Sequence, residues 1–144
     1  MFYYSTLNKK LLQTEKIETI FNESISLNPT DPFPYCWLGT YYKEVKLNFE
    51  KAEKFYKTAI SYAEKSKHDS EKTHPLFFNN YGLLIIDKVI AGLLPNQMLC
   101  EAKKILQEAY TRNERRIKEY DFYWAAYNLD YCNKTISYKK VLCE

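Results

Sequence analysis

The sequence has 144 residues, of which 46% are hydrophobic and 27% charged, a balance that excludes an intrinsically disordered chain. Three glycines and five prolines are too few for the many tight turns of an all-β sandwich or barrel. The formal net charge of +3 comes from lysines interleaved with glutamates, a pattern typical of a solvated helix face rather than a nucleic-acid surface.

Apolar residues recur at helical spacing along nearly the whole chain, beginning in its first third. The spacing predicts a first helix over Leu7–Leu12 and a second over Ile17–Ile25. The stretch 27–34 contains three of the five prolines, so it is expected to be a turn. A third helix is then predicted from Pro34 to Val45.

The second half of the chain continues the helical pattern. Asn48 has the character of an N-cap and predicts a fourth helix over Phe49–Lys65, which a polar connection follows. The remaining helices are predicted over Pro75–Ile90, Gln97–Arg116 and Tyr120–Cys132. For the tail up to Glu144 the sequence leaves open a last short helix or an extended end.

Two glycines lie inside predicted helices, where glycine costs about 1 kcal/mol relative to alanine. The sequences around Gly39 and Gly82 can be aligned with each other. A large residue stands directly before each glycine, and another stands three positions after it. Alanines of the fourth helix superpose on alanines of the sixth in the same way, namely Ala52 and Ala59 on Ala102 and Ala109. The chain is therefore predicted to repeat a helix–turn–helix unit.

These residues resemble the tetratricopeptide repeat. The second unit carries the fullest match, with Tyr35, Leu38, Gly39, Tyr42, Phe49, Ala52, Tyr56 and Ala59. The resemblance implies an all-α fold, a right-handed α-solenoid of stacked hairpins, as one domain over residues 1–144. Its units would span about 1–30, 33–66, 75–117 and 119–133 plus a tail. Gly39 is expected where two helices cross closely, so that leucine there would overpack and alanine would be tolerated far better.

The resemblance also implies a concave groove that binds a peptide or helix of another protein. The groove positions that it predicts are Trp37, Thr40, Lys43, Asn79, Asn80, Leu83, Asp87, Trp124 and Tyr127, with Tyr131 on the same face of the last helix. Asn80 is expected to point into the concavity without intramolecular partners. Lys43 is the one basic residue on this face, which disfavours the family's clamp for C-terminal carboxylates. Trp37 and Trp124 have a second interpretation, simple packing between units.

No pattern in the sequence predicts catalysis or a cofactor. His68 and His74 are six residues apart, whereas metal ligands on one helix face are three or four apart. Phosphate-loop, metalloprotease and nucleophile-elbow motifs do not occur. The expected function is therefore that of a protein-binding adaptor or complex subunit, and not of an enzyme.

Two other functions stay open. The chain could associate with itself through apolar ends and form a homo-oligomer. Less favoured is nucleic-acid binding through the basic stretch that contains Arg112, Arg115, Arg116 and Lys118, because Glu114 interrupts it.

The sequence start and the cysteines indicate the cytoplasm. The opening MFYYSTLNKK lacks a basic start followed by an apolar run, and the longest apolar stretch is broken by Asp87 and Lys88, so no membrane segment is expected. The four cysteines have no CxxC spacing and are Cys36, Cys100, Cys132 and Cys143. Reduced thiols that act as small buried hydrophobes are expected, although disulfide pairing stays open.

Overall fold

The computed structural model describes residues 16–115 and 124–144, and within these ranges the regular structure is helical, with no strand. The expected helix over Leu7–Leu12 lies outside the described residues. The chain divides into two compact units, Met1–Lys72 and Thr73–Glu144. In the part of the chain that the structure describes, no helix combines the length and the apolar character needed to cross a bilayer.

The first unit contains helices that follow the predicted order. They are α1 (Lys16–Leu27), α2 (Pro32–Glu44), α3 (Phe49–Lys65) and the short α4 (Asp69–Lys72). Asp31 starts α2 two residues earlier than expected, because its Oδ1 accepts a hydrogen bond from the Phe33 amide at 3.0 Å. Asn48 caps α3 as predicted, since its Oδ1 accepts from the Lys51 amide at 3.0 Å. The predicted bounds of the fourth helix are confirmed, and α4 lies in the predicted polar connection.

Gly39 marks the place where α2 meets α3. A Cβ atom added at Gly39 would lie 2.6 Å from both Cδ1 and Cε1 of Tyr56, so only glycine fits without a shift of the ring. Tyr56 is fully buried, and its hydroxyl lies 3.0 Å from Oγ1 of Thr40. Alanines 52, 59 and 63 of α3 are also fully buried. The predicted close approach at Gly39 is confirmed.

Tyr42 of α2 joins the three long helices described in residues 16–72. Its hydroxyl donates a hydrogen bond to Glu18 of α1, and its ring stacks on Phe55 of α3 with 5.5 Å between ring centroids. The ammonium group of Lys51 lies 4.4 Å from the centroid of the same ring. Burial and the hydrogen bond to Glu18 raise the pKa of Tyr42, so the hydroxyl keeps its proton and remains a donor.

In the described residues of the second unit, 73–115 and 124–144, there are three long helices and one 3₁₀ turn. They are α5 (Leu76–Ile90), the 3₁₀ turn (Asn96–Met98), α6 (Leu99–Arg115) and α7 (Trp124–Tyr138). The structure resolves the ambiguity of the tail, because α7 continues past the predicted end at Cys132 as far as Tyr138, and residues 141–144 are not helical. Helix α6 packs against α5 and α7, and α5 also contacts α7.

Gly82 repeats in the second unit the role that Gly39 has in the first. A Cβ atom added at Gly82 would lie 2.6 Å from Cγ of Leu106 on α6. Leu106 is fully buried, as are Ala102 and Ala109, which the sequence superposes on alanines of α3. Both helix pairs are therefore built around a glycine on the first helix and a large buried side chain on the second.

We expect Gly39→Ala to lower the free energy of unfolding by about 1–3 kcal/mol, because a Cβ atom would lie too close to the Tyr56 ring, and Gly39→Leu to lower it further. The Tyr56 ring is buried and hydrogen-bonded, so it cannot yield without loss. In a Tyr56→Ala background Gly39→Ala should be neutral or stabilising by up to about 1 kcal/mol, because the helix propensity of alanine then prevails. Urea unfolding of these variants and the wild type measures each effect. Equal cost in both backgrounds would contradict the proposed clash.

Candidate functional site

The predicted groove residues fall into two classes by accessibility. Five are buried in the structure, namely Thr40, Lys43, Asn79, Asn80 and Leu83. The other four remain at least partly accessible, namely Trp37, Asp87, Trp124 and Tyr127. The prediction that all nine line one open groove is therefore wrong for the first class.

In the first unit, Thr40 and Lys43 are turned to internal contacts. The Thr40 hydroxyl lies 3.3 Å from the carbonyl oxygen of Cys36 and bonds with Tyr56 of α3. Thr40 follows Gly39, and the close crossing brings the far end of the Tyr56 ring within its reach. Lys43 is only 4% exposed, and its Nζ lies 3.4 Å from the Glu44 carboxylate. Neither residue is available to a partner, whereas Trp37 stays half-exposed.

In the second unit, Asn79 and Asn80 belong to a buried chain of side-chain amides. The Nδ2 group of Asn128 on α7 donates to Oδ1 of Asn79 at 2.9 Å. Asn79 in turn donates through Nδ2 to Oδ1 of Asn80 at 3.2 Å. All three side chains are at most 1% exposed. The expectation that Asn80 is free of intramolecular partners is wrong.

The reason lies in the position of α5 between two other helices. Because α5 contacts both α6 and α7, it is buried around most of its circumference, including Leu83 at 6% exposure. An amide placed between two helices must satisfy its donors and acceptors internally, since an unpaired buried polar group costs about 1–3 kcal/mol. Asn128 supplies that partner. The sequence did not point to Asn128 as that partner. Helical periodicity places Asn128 on the buried stripe of α7, but it does not indicate which side chain of another helix faces Asn128.

The accessible aromatic residues lie together on one side of α7. We call Trp124, Tyr127 and Tyr131 the aromatic face; they are spaced by three and four residues, as one side of a helix requires. The rings of Trp124 and Tyr127 meet edge to face with centroids 5.2 Å apart, and Tyr127 is 54% exposed. The adjacent stripe of α7 is buried and consists of Ala125, Asn128 and Cys132.

Asp87 of α5 borders this aromatic face. Burial raises the pKa of Tyr131, and the negative charge of the nearby Asp87 carboxylate raises it further. Of the groove positions predicted in the second unit, Asp87, Trp124 and Tyr127 are thus brought into one accessible region.

Within the basic stretch, Arg112 makes contacts inside the second unit, whereas Arg115 is exposed. Arg112 donates from Nε to Oε1 of Glu108 at 2.8 Å, and its guanidinium carbon lies 4.2 Å from the centroid of the Phe78 ring. Both contacts fix Arg112 within the second unit. Arg116 and Lys118 lie outside the described residues.

The cysteines divide into two pairs. Cys36 and Cys132 are fully buried free thiols, as expected, and burial raises the pKa of Cys132 to about 11. Cys100 and Cys143 form a disulfide, with 5.4 Å between their Cα atoms. The expectation of reduced thiols is therefore wrong for this pair. Their separation of 43 residues gives no local signal of pairing.

The two histidines have no common site. No cluster of three or more histidine, cysteine, aspartate or glutamate side chains within residues 16–115 and 124–144 is suited to a metal ion. Nδ1 of the buried His74 accepts a hydrogen bond from the amide of Leu76, the first residue of α5, at 3.1 Å. His68 is exposed, and its amide donates to the Ser66 hydroxyl at 3.1 Å. His74 thus serves the start of α5.

We expect Asn128→Ala to lower the free energy of unfolding by about 1–3 kcal/mol, because it leaves the buried Asn79 oxygen without its donor. Asn133→Ala on the same helix is the matched control, since Asn133 is half-exposed, and should change stability by less than about 0.5 kcal/mol. Denaturant unfolding measures both. If both variants lowered the free energy of unfolding equally, the buried amide chain would contribute no more to stability than a half-exposed asparagine.

We expect His74→Ala to destabilise the chain by about 1 kcal/mol, because it removes the acceptor for the first amide of α5. His68→Ala is the control and should be nearly neutral. Thermal melting of the two variants compares the chain's two histidines directly. A neutral His74→Ala would mean that water replaces the imidazole without cost.

Comparison with known proteins identifies no relative of this chain. No family model, no curated protein and no solved structure matches the chain. The candidate site therefore rests on the aromatic face, its neighbour Asp87 and the packing that presents them.

Proposed function

We propose that the chain is a protein-binding module built from tetratricopeptide-like helical hairpins. The observation that carries this proposal is the common construction of the α2–α3 and α5–α6 pairs. In each pair a glycine of the first helix meets a large buried side chain of the second, Tyr56 against Gly39 and Leu106 against Gly82. Two hairpins built alike within 144 residues favour a repeat over an unrelated helical bundle.

The helices beside each pair support the same proposal. In the first unit α1 contacts α2, as the second helix of a preceding repeat would. In the second unit α7 contacts both helices of the α5–α6 pair, as the first helix of a following repeat would. We therefore assign the chain to the α-solenoid class, whose members use extended surfaces to bind other proteins.

We assign partner binding to the aromatic face of α7. Tryptophan and tyrosine contribute most to binding energy at protein interfaces, since they bury a large area at a small cost in side-chain entropy. Tyr127 is exposed, and Trp124 supports it edge to face. The proposed surface is narrower than the groove predicted from the sequence, because the buried amides of α5 take no part in it. An extended peptide or a helix is the proposed ligand.

We expect Tyr127→Ala to weaken peptide binding about tenfold or more, equivalent to at least about 1.4 kcal/mol, while the fold is kept because Tyr127 is 54% exposed. The ligand is obtained by selecting a displayed random-peptide library on the 144-residue chain. Calorimetric titration with a selected peptide then measures affinity. Leu93→Ala is the matched control, since it removes an apolar side chain that is 60% exposed outside α7.

Three results would contradict this assignment. Equal affinity of Tyr127→Ala and Leu93→Ala would place binding away from the aromatic face. Selection of no peptide, together with sedimentation that shows dimers which Tyr127→Ala dissociates, would favour self-association, the alternative left open by the sequence. A monomer that selects no peptide would remove the proposed function altogether.

A further inference from the structure

The residues after α7 return to the beginning of α6. Lys140 adopts a left-handed conformation with φ of 55°, which lysine does not favour. The amide of Val141 then donates to the carbonyl of Ile136 at 3.1 Å, which closes the last turn of α7. This turn redirects residues 141–144, which we call the strap.

Two bonds fix the strap at the start of α6. Cys143 is joined to Cys100 by the disulfide, and Nε2 of Gln97 donates to the carbonyl oxygen of Leu142 at 3.0 Å. Leu142, the larger apolar side chain of the strap, is 87% exposed, and Val141 is only partly buried. Its order therefore depends mainly on the covalent bond.

The disulfide is placed where a reductant can reach it. Cys100 and Cys143 are both partly exposed, in contrast to the fully buried Cys36 and Cys132. Exposed disulfides are in general more easily reduced than enclosed ones. The sequence therefore contains two inert thiols and one accessible redox pair.

We infer that the strap is a redox-controlled clasp on α7. A dithiol reductant supplies two electrons and two protons, the Sγ–Sγ bond between Cys100 and Cys143 breaks, and both become thiols while the reductant becomes a disulfide. The Gln97 hydrogen bond then remains between the strap and the residues before α6, and the Val141 amide remains bonded to Ile136 of α7. Hydrogen bonds alone do not hold the strap, so Lys140 leaves its left-handed conformation and the last turn of α7 frays. A disulfide oxidant restores the clasp, because it accepts the two electrons and two protons that the thiols release and becomes a dithiol.

Hydrogen–deuterium exchange of the 144-residue chain, followed by mass spectrometry, tests this inference. Dithiothreitol should speed exchange in peptides covering residues 135–144 by about tenfold or more, and should leave peptides of α5 unchanged. Cys143→Ser should exchange as fast as the reduced wild type without dithiothreitol, and should not respond to it. Equal exchange in the oxidised and reduced wild type would overturn the inference, because packing alone would then hold the strap.

Two further measurements separate the disulfide from its surroundings. Alkylation of the unfolded, air-oxidised wild type should label only Cys36 and Cys132, and dithiothreitol should add Cys100 and Cys143. Labelling of all four without reductant would overturn the inference. Gln97→Ala removes the hydrogen bond and keeps the disulfide, so it should still respond to dithiothreitol. If oxidised Gln97→Ala already exchanges like the reduced wild type, the hydrogen bond and not the disulfide is the clasp.

Discussion

The missing side chain at Gly39 lets α2 approach α3 until the Tyr56 ring occupies the place where a Cβ atom would be, and Gly82 permits the same approach of Leu106. The rest of each unit depends on this distance. At Gly39 it brings the Tyr56 hydroxyl to Thr40, and it encloses the alanines of α3. The unfavourable helix propensity of an interior glycine is offset by dispersion contacts and buried area that no larger residue would permit.

Close packing also explains why polar residues of the first helices turn inward. Thr40 and Asn79 lie on helices that have neighbours on more than one side, so their side chains must bond within the protein. The Asn128–Asn79–Asn80 chain satisfies three such amides at once. A buried polar network of this kind favours one relative arrangement of α5 and α7, because another register would leave its members unpaired.

The same packing decides which side chains of α7 a partner can reach. The buried stripe with Asn128 fixes the rotation of α7 about its own axis, and that rotation turns Tyr127 outward. The disulfide between Cys100 and Cys143 fastens the far end of the same helix to the start of α6. In the chain-entropy description, a closed loop of this size stabilises the folded state by about 4 kcal/mol. The helix that presents the proposed binding surface is thus restrained both along its buried stripe and at its end.

The sequence by itself determined the features that depend on neighbouring residues. Asn48 fixes the start of α3 through a local hydrogen bond, so the start of that helix was predicted correctly, whereas Pro32 and Pro34 of the expected turn belong to the first turn of α2. Gly39 and Gly82 revealed the helix crossings, because an interior glycine needs a packing reason.

Only the tertiary structure decided which side chains a third helix would cover. Helical periodicity places Asn80 on a face of α5 but does not say that α7 lies over that region, so its burial was missed. The Cys100–Cys143 bond was missed for the same reason, since residues 43 positions apart meet only when the chain has folded. Local chemistry specifies helices and their ends, whereas contacts between helices distant in sequence decide what is buried, what is bonded and what a partner can reach.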